Sequence, residues 1–167
     1  MPPDEMPENL PGHIIEGDEL LSLLPHRGRM LLLSKISAYD IEEGTICGEA
    51  LITRDNLFFD PAINAVPAWA AYEFMAQAIA ALSGLRKHGK NGGIKAGFIL
   101  SISSMQIEIS SFLIGAVPEI RVKEISSLDQ VHNFEGQVFL EGRKVLEGRL
   151  TVMDADDEQI KSMSKGK

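Results

Sequence analysis

Val66-Pro67-Ala68-Trp69-Ala70-Ala71-Tyr72-Glu73-Phe74-Met75-Ala76-Gln77-Ala78-Ile79-Ala80-Ala81-Leu82-Ser83-Gly84-Leu85 reads as a helix that is apolar nearly all the way round, with one carboxylate in its second turn. A helix without a polar face has to be wrapped by other structure. A carboxylate on it is costly unless it is paired, hydrogen-bonded or neutralised. Glu73 is therefore the first candidate for a functional group. Pro67 fits the first helical position, where its missing N–H costs nothing, and Arg86, Lys87 and His88 suit the negative end of the helix dipole before Gly89.

Working outward, the flanks read mostly as strands. Asp18 to Leu24 predicts a short helix stopped by Pro25, with Asp18 as its N-cap. Met30 to Tyr39 predicts a strand, Glu42-Glu43-Gly44 a turn, and Thr45 to Ile52 the returning strand. After the helix come β-like runs over 95–111, 116–127, 132–140 and 144–153, with Gly142-Arg143 turning the last hairpin. Residues 1–17, opening with Pro2, Pro3, Pro7 and Pro11 among acids, read as a flexible arm, 18–153 as one domain, and the charged stretch 154–167 as a flexible tail. The fold class is α+β, a curved antiparallel sheet around one long helix. Glu73 and Gln77 fall on a stripe with Ala70, Ala80 or Ala81, and Gly84, and a second subunit is expected to cover it.

The chain of 167 residues carries a net charge of −8, which argues against nucleic-acid binding and requires any acidic partner to dock on a local basic patch. Cys47 is the only cysteine, so no intramolecular disulfide forms. His13, His88 and His132 lack metal-ligand spacing, and neither metal nor cofactor is expected. The acidic N-terminus does not look like a secretory signal. Glu73, Gln77 and Ser83 interrupt the longest apolar stretch well short of the roughly 20 clean residues of a membrane span. These features point to a cytoplasmic protein.

Three motifs together resemble the hot-dog-fold 3-hydroxyacyl-(acyl carrier protein) dehydratases, with wording similar to a polyketide or aryl-polyene-type branch. They are Leu24-Pro25-His26-Arg27-Gly28-Arg29-Met30-Leu31-Leu32-Leu33, the pair Pro67 and Glu73-Phe74-Met75-Ala76-Gln77, and Gly97-Phe98-Ile99-Leu100 leading to Gly115. The resemblance implies a hot-dog dimer acting on acyl thioesters of acyl carrier protein or coenzyme A in fatty-acid or polyketide-type biosynthesis. It implies loss of water, with Glu73 as the carboxyl group and backbone N–H groups at the helix start, near Ala68, polarising the thioester carbonyl.

The family also uses a histidine on the loop before the helix. Counting back from Glu73 by the family's interval lands on Phe59, and residues 60–66 contain no histidine. Three readings follow. His26 could come over Glu73 in the dimer as the base, or a partner subunit could supply a histidine across a heterodimer interface. Alternatively the chain is a thioesterase or a non-catalytic acyl-binding subunit. The other role open to His26 is to hydrogen-bond backbone where helix gives way to strand. Trp69 and Tyr72 suit core or tunnel wall, Phe58-Phe59 a plug or gate, and Gln77 the packing of the dimer or of Glu73. The Arg86-Lys87-His88-Gly89-Lys90 cluster, with Arg27 and Arg29, reads as a solvated helix end or as a docking patch for an acidic carrier or coenzyme A phosphate.

Overall fold

Alternating apolar residues in the second half of the chain place Ile120, Val122, Phe134, Val138, Leu146, Leu150 and Val152 on one face of a sheet. The computed structural model describes residues 13–88 and 97–155, with 158, 161, 162 and 165 beyond them. In chain order the strands are β1 (Ile15–Glu16), β2 (Lys35–Asp40), β3 (Thr45–Glu49), β4 (Ala65–Pro67), β5 (Gly97–Ile107), β6 (Ser111–Leu113), β7 (Glu119–Leu128), β8 (Val131–Leu140) and β9 (Arg143–Asp154). The helices are α1 (Gly17–Leu23) and α2 (Ala71–Lys87), with single 3-10 turns at Gly28–Met30 and Ala68–Ala70. Seven strands form one antiparallel sheet in the order β1-β2-β3-β7-β8-β9-β5, and β4 and β6 pair separately. This is the α+β, hot-dog arrangement that the sequence implies, with α2 packed against the sheet.

Phe74, Met75, Ala78 and Leu82 of α2 are buried in a single core with Ile46, Ile120, Phe134 and Leu146. Gly136 makes room for this packing, since a Cβ there would lie 2.2 Å from the Met75 sulfur. The last hairpin turns on Glu141 and Gly142, both at positive φ, as a two-residue connection requires. The Glu42-Glu43-Gly44 turn also forms, the Asp40 carboxylate accepting the N–H groups of Glu42 and Glu43 at 3.0 Å each.

Several boundaries differ from the sequence reading, each for a local reason. The sheet begins at Ile15, which is buried, so the ordered domain starts inside the segment assigned to the arm. Residues 1–12 lie outside the described residues. Asp18 is not the N-cap of α1. That position belongs to Glu16, and Asp18 sits in the first turn. Pro67 is not the first helical residue either. Its ψ of 139° keeps it extended at the end of β4, so α2 starts at Ala71 and Glu73 falls in the first α-helical turn.

The strand read from Met30 starts only at Lys35, because the backbone of 30–33 bonds to α2 rather than to the sheet. The run over 95–111 divides into β5 and β6. At the other end β9 extends to Asp154 and Ala155 is buried, so the tail begins later than expected, and most of it is outside the described residues. The segment after the helix, 89–93, is outside them too.

Gly84 is where α1 crosses α2. A Cβ there would stand 2.7 Å from the Leu23 carbonyl oxygen, a backbone atom that cannot yield without moving α1. Alanine gains about 1 kcal/mol in helix propensity, but overpacking costs about 1–3 kcal/mol. Gly84→Ala is therefore expected to lower stability, read as a reduced urea midpoint at unchanged slope.

Candidate active site

Along α2 the buried face leaves one strip half covered: Tyr72, Glu73, Ala76, Ala80 and Ser83. That spacing of three and four residues marks one side of the helix. With Pro25 and His26 on one side and β5 on the other, the strip lines a cavity of about 590 Å³. Its walls are mainly apolar (Ile79, Phe98, Ile99, Ile102 and Val152), with Glu73 and His26 among its polar groups and Ser83 and Asp154 further along. The stripe differs from the sequence reading. Ala70 and Ala81 are fully buried, Gly84 is covered by α1 of the same chain, and Gln77 points away from the cavity into the core.

His26 Nε2 stands 3.6 Å from Glu73 Oε1, and the two side chains are 21% and 22% exposed. The sequence left open whether His26 would come over Glu73 in the dimer or would be bonded to backbone. It approaches Glu73 within its own chain, and its Nδ1 is buried with no hydrogen-bond partner among the described residues. Burial lowers the imidazole pKa below its ordinary 6.5; the Glu73 charge raises it, the Arg27 charge lowers it, and the net shift is downward. A neutral imidazole beside a carboxyl group is an acid–base pair. Glu73 also lies in the first turn of α2.

Gln77 spends its whole carboxamide on this site. Its Oε1 accepts from the Leu32 and Leu33 amides at 2.9 and 3.4 Å. Its Nε2 donates to the Met30 carbonyl at 2.7 Å and to Glu73 Oε1 at 3.2 Å. Fully buried, it fixes Glu73 and the 30–33 segment, and neither substrate nor a second subunit can reach it.

Other candidates are placed differently from the reading above. The Ala68 N–H, expected at the thioester carbonyl, donates instead to the Ser110 carbonyl at 3.0 Å. Trp69 is not core: it is 50% exposed and stacks on Tyr72 with ring centroids 6.4 Å apart. Phe58, not Phe59, joins these rings, 5.4 Å from Trp69. Phe59 faces Arg54 and does not line the cavity.

The basic cluster is largely spent within the chain. Arg86 pairs with Glu124 at 2.5 Å and Lys87 with Asp154 at 3.5 Å. Arg29 donates to the Asp55 and Asn56 carbonyls, and Lys90 is outside the described residues. Sequence reasoning missed the contributions of Ser83, Phe98 and Asp154 to the cavity. The only available signal was the spacing of Ser83 from Glu73, Ala76 and Ala80.

Residues 19–164 match the family described as ApeP-like, ApeP dehydratase. The chain belongs to this family. Consistently, 75 residues are 37% identical to the 3-hydroxyacyl-(acyl-carrier-protein) dehydratase FabZ of Chlamydia caviae, covering 43% of this chain and 49% of that protein. The chain thus spans about half the length of the curated relative it matches. The fold is similar to that of the dehydratase heterocomplex ApeI:P from Xenorhabdus doucetiae, with a TM-score of 0.76 at 22% identity over 87% of this chain and 97% of that one. It also resembles the Escherichia coli PaaI protein, with a TM-score of 0.53 at 11% identity over 71% and 80% of the two chains. Among the described residues of this ApeP-like protein, no helix is long and apolar enough to cross a membrane.

Replacing Gln77 by leucine keeps the volume but strands the Leu32 amide and the Met30 carbonyl in a buried place. Leaving such groups unpaired costs about 1–3 kcal/mol each. Gln77→Leu is expected to lower unfolding free energy in chemical denaturation by at least about 2 kcal/mol. The same loss frees the Glu73 carboxylate.

Proposed function

We propose that this protein dehydrates 3-hydroxyacyl thioesters, with His26 and Glu73 of one chain as the catalytic pair. The approach of His26 Nε2 to Glu73 Oε1 at 3.6 Å, on the wall of an apolar cavity, carries the reading. His26 Nε2 takes the proton from the carbon next to the thioester carbonyl. The C–H electron pair forms the double bond, the C–O bond at the 3-position breaks, and Glu73 gives its proton to the departing hydroxyl as water. Imidazolium and carboxylate are left, and passing one proton back to Glu73 resets the pair. The step needs an open imidazole, which burial of His26 favours. An acyl chain filling the cavity excludes water and favours the neutral pair over separated charges.

The acyl group is taken to arrive on an acyl carrier protein or coenzyme A, as the family membership and the FabZ relative support. A dimer is proposed as well. Strand β5 is an edge of the sheet and exposes Leu100, Ile102 and Ile107, of which Ile102 also lines the cavity. Likeness to one half of a dehydratase heterocomplex favours a second form of the reading, in which a histidine-bearing hot-dog partner completes the site.

Turnover of a 3-hydroxyacyl thioester to the trans-2-enoyl product, followed by enoyl absorbance, tests both forms. Glu73→Gln and His26→Ala should each lower kcat on the order of a hundredfold or more. If His26→Ala retains full activity only when a histidine-bearing partner is present, the heteromeric form stands and the single-chain pair falls. If no enoyl product forms with either preparation, the dehydratase reading falls.

The acid limb gives a further expectation. The active pair holds one proton, on Glu73 with His26 neutral, so kcat/KM should rise with pH as the doubly protonated pair loses its first proton, through a midpoint below 6.5, and fall again as the last proton is lost. An acid-limb midpoint above that value would show another base at work.

A further inference from the structure

Helix α1 ends without the usual devices. No glycine follows it, its last turn holds no basic residue, and Pro25 has no N–H to give to its terminal carbonyls. Two carbonyls at this end, those of Leu21 and of the capping residue Leu24, are met from outside the helix by one side chain. Arg27 Nη2 donates to the Leu21 carbonyl at 2.9 Å. Its Nη1 donates to the Leu24 carbonyl at 2.5 Å and to the His26 carbonyl at 2.7 Å. The guanidinium thus closes a loop around the peptide units of Pro25 and His26. On the other side, the Met30 amide donates to the Arg27 carbonyl at 3.2 Å, and the Met30 carbonyl is held by Gln77. His26 sits between these two clamps.

We propose that Arg27 is a positioning residue of the active site, whose fork of hydrogen bonds to Leu21, Leu24 and His26 holds the imidazole at Glu73. The inference rests on the catalytic pair proposed above, but it has a readout that does not depend on turnover. A planar guanidinium serves three carbonyls at fixed angles, whereas a lysine ammonium supplies the charge without the fork. Arg27 also places a positive charge beside His26, opposing imidazole protonation. The titratable groups sharing the cavity with His26 are Glu73, Tyr72 and Asp154.

The test uses the full chain with Arg27→Ala and Arg27→Lys, each alone and combined with Glu73→Gln. The His26 imidazole resonance, assigned by its loss in His26→Asn, is titrated by NMR in every variant. In the parent, Glu73→Gln should lower the His26 midpoint, because the Glu73 charge raises it. In Arg27→Ala that response should largely vanish, because the imidazole no longer sits at Glu73. Arg27→Lys keeps the charge, so it should resemble alanine in the lost response and the parent in the effect of charge. In the dehydration assay both variants should lose on the order of ten- to a hundredfold in kcat with KM little changed, as slight misplacement of a catalytic group costs that much.

Two results would overturn the proposal: an unaltered Glu73 response in Arg27→Ala, or a loss confined to KM, which would make Arg27 a contact for the carrier. If His26→Ala and Glu73→Gln themselves leave turnover intact, the catalytic reading fails while the NMR response still decides whether Arg27 holds the ring.

Discussion

The Gln77 carboxamide is the constraint on which the site depends. A polar group in the core is tolerated only when its donors and acceptors are matched. Here one side chain matches the backbone of a neighbouring segment, leaving over a single N–H, which goes to Glu73. The same bonds that make Gln77 affordable inside the core draw residues 30–33 out of the sheet and against α2. That displacement carries the preceding loop, with Pro25 and His26, onto the rim of the cavity. Glu73 and His26 meet because a residue one helical turn further on needed partners.

Burial acts in opposite directions on the two halves of this arrangement. At the far end of α2 it is offset by charge: Arg86 and His132 both bond to Glu124, and although burial pushes that carboxyl group up, the hydrogen bonds hold it below its ordinary value. Glu124 is thus locked as an anion, a structural tie between α2, β7 and β8. At the near end no such partners surround His26. Its Nδ1 is buried without a partner among the described residues, its nearest carboxylate stands 3.6 Å away, and burial prevails, keeping the ring neutral. A histidine and a carboxylate thus occur at both ends, hydrogen-bonded at 2.8 Å in one pair and 3.6 Å apart in the other.

Much of this was legible in the chain. An apolar helix of this length with one early carboxylate demands a wrapping sheet, and the alternation after it supplies the strands, so the α+β layout follows from periodicity. Glu73 stands out for the same reason. The rest was not legible because it depends on tertiary hydrogen bonds that leave no periodic trace. The stripe through Gln77 and Gly84 looked open, since nothing local says that Gln77 finds backbone from 30–33 or that α1 lies on Gly84. Ala68 looked like a free backbone donor because its acceptor, Ser110, is distant in sequence. The basic run at the end of α2 read as a solvated helix end or a docking patch because Glu124 and Asp154, which absorb Arg86 and Lys87, arrive from other strands.

The loop without a histidine acquires a physical meaning in this frame. Asp60 and Ala65 bond to one another across a tight turn, Asp60 caps the Ala62 amide at 2.8 Å, and Asn64 takes a positive φ of 51° to close it. The turn feeds directly into β4, which pairs with β6 and hands Ala68 to Ser110. A loop folded on itself in this way sends no side chain from 53–66 into the lining of the cavity. At the start of α2 the rings of Phe58, Trp69 and Tyr72 pack on one another. His26, by contrast, sits on a segment pinned at one end by Arg27 and at the other by Gln77.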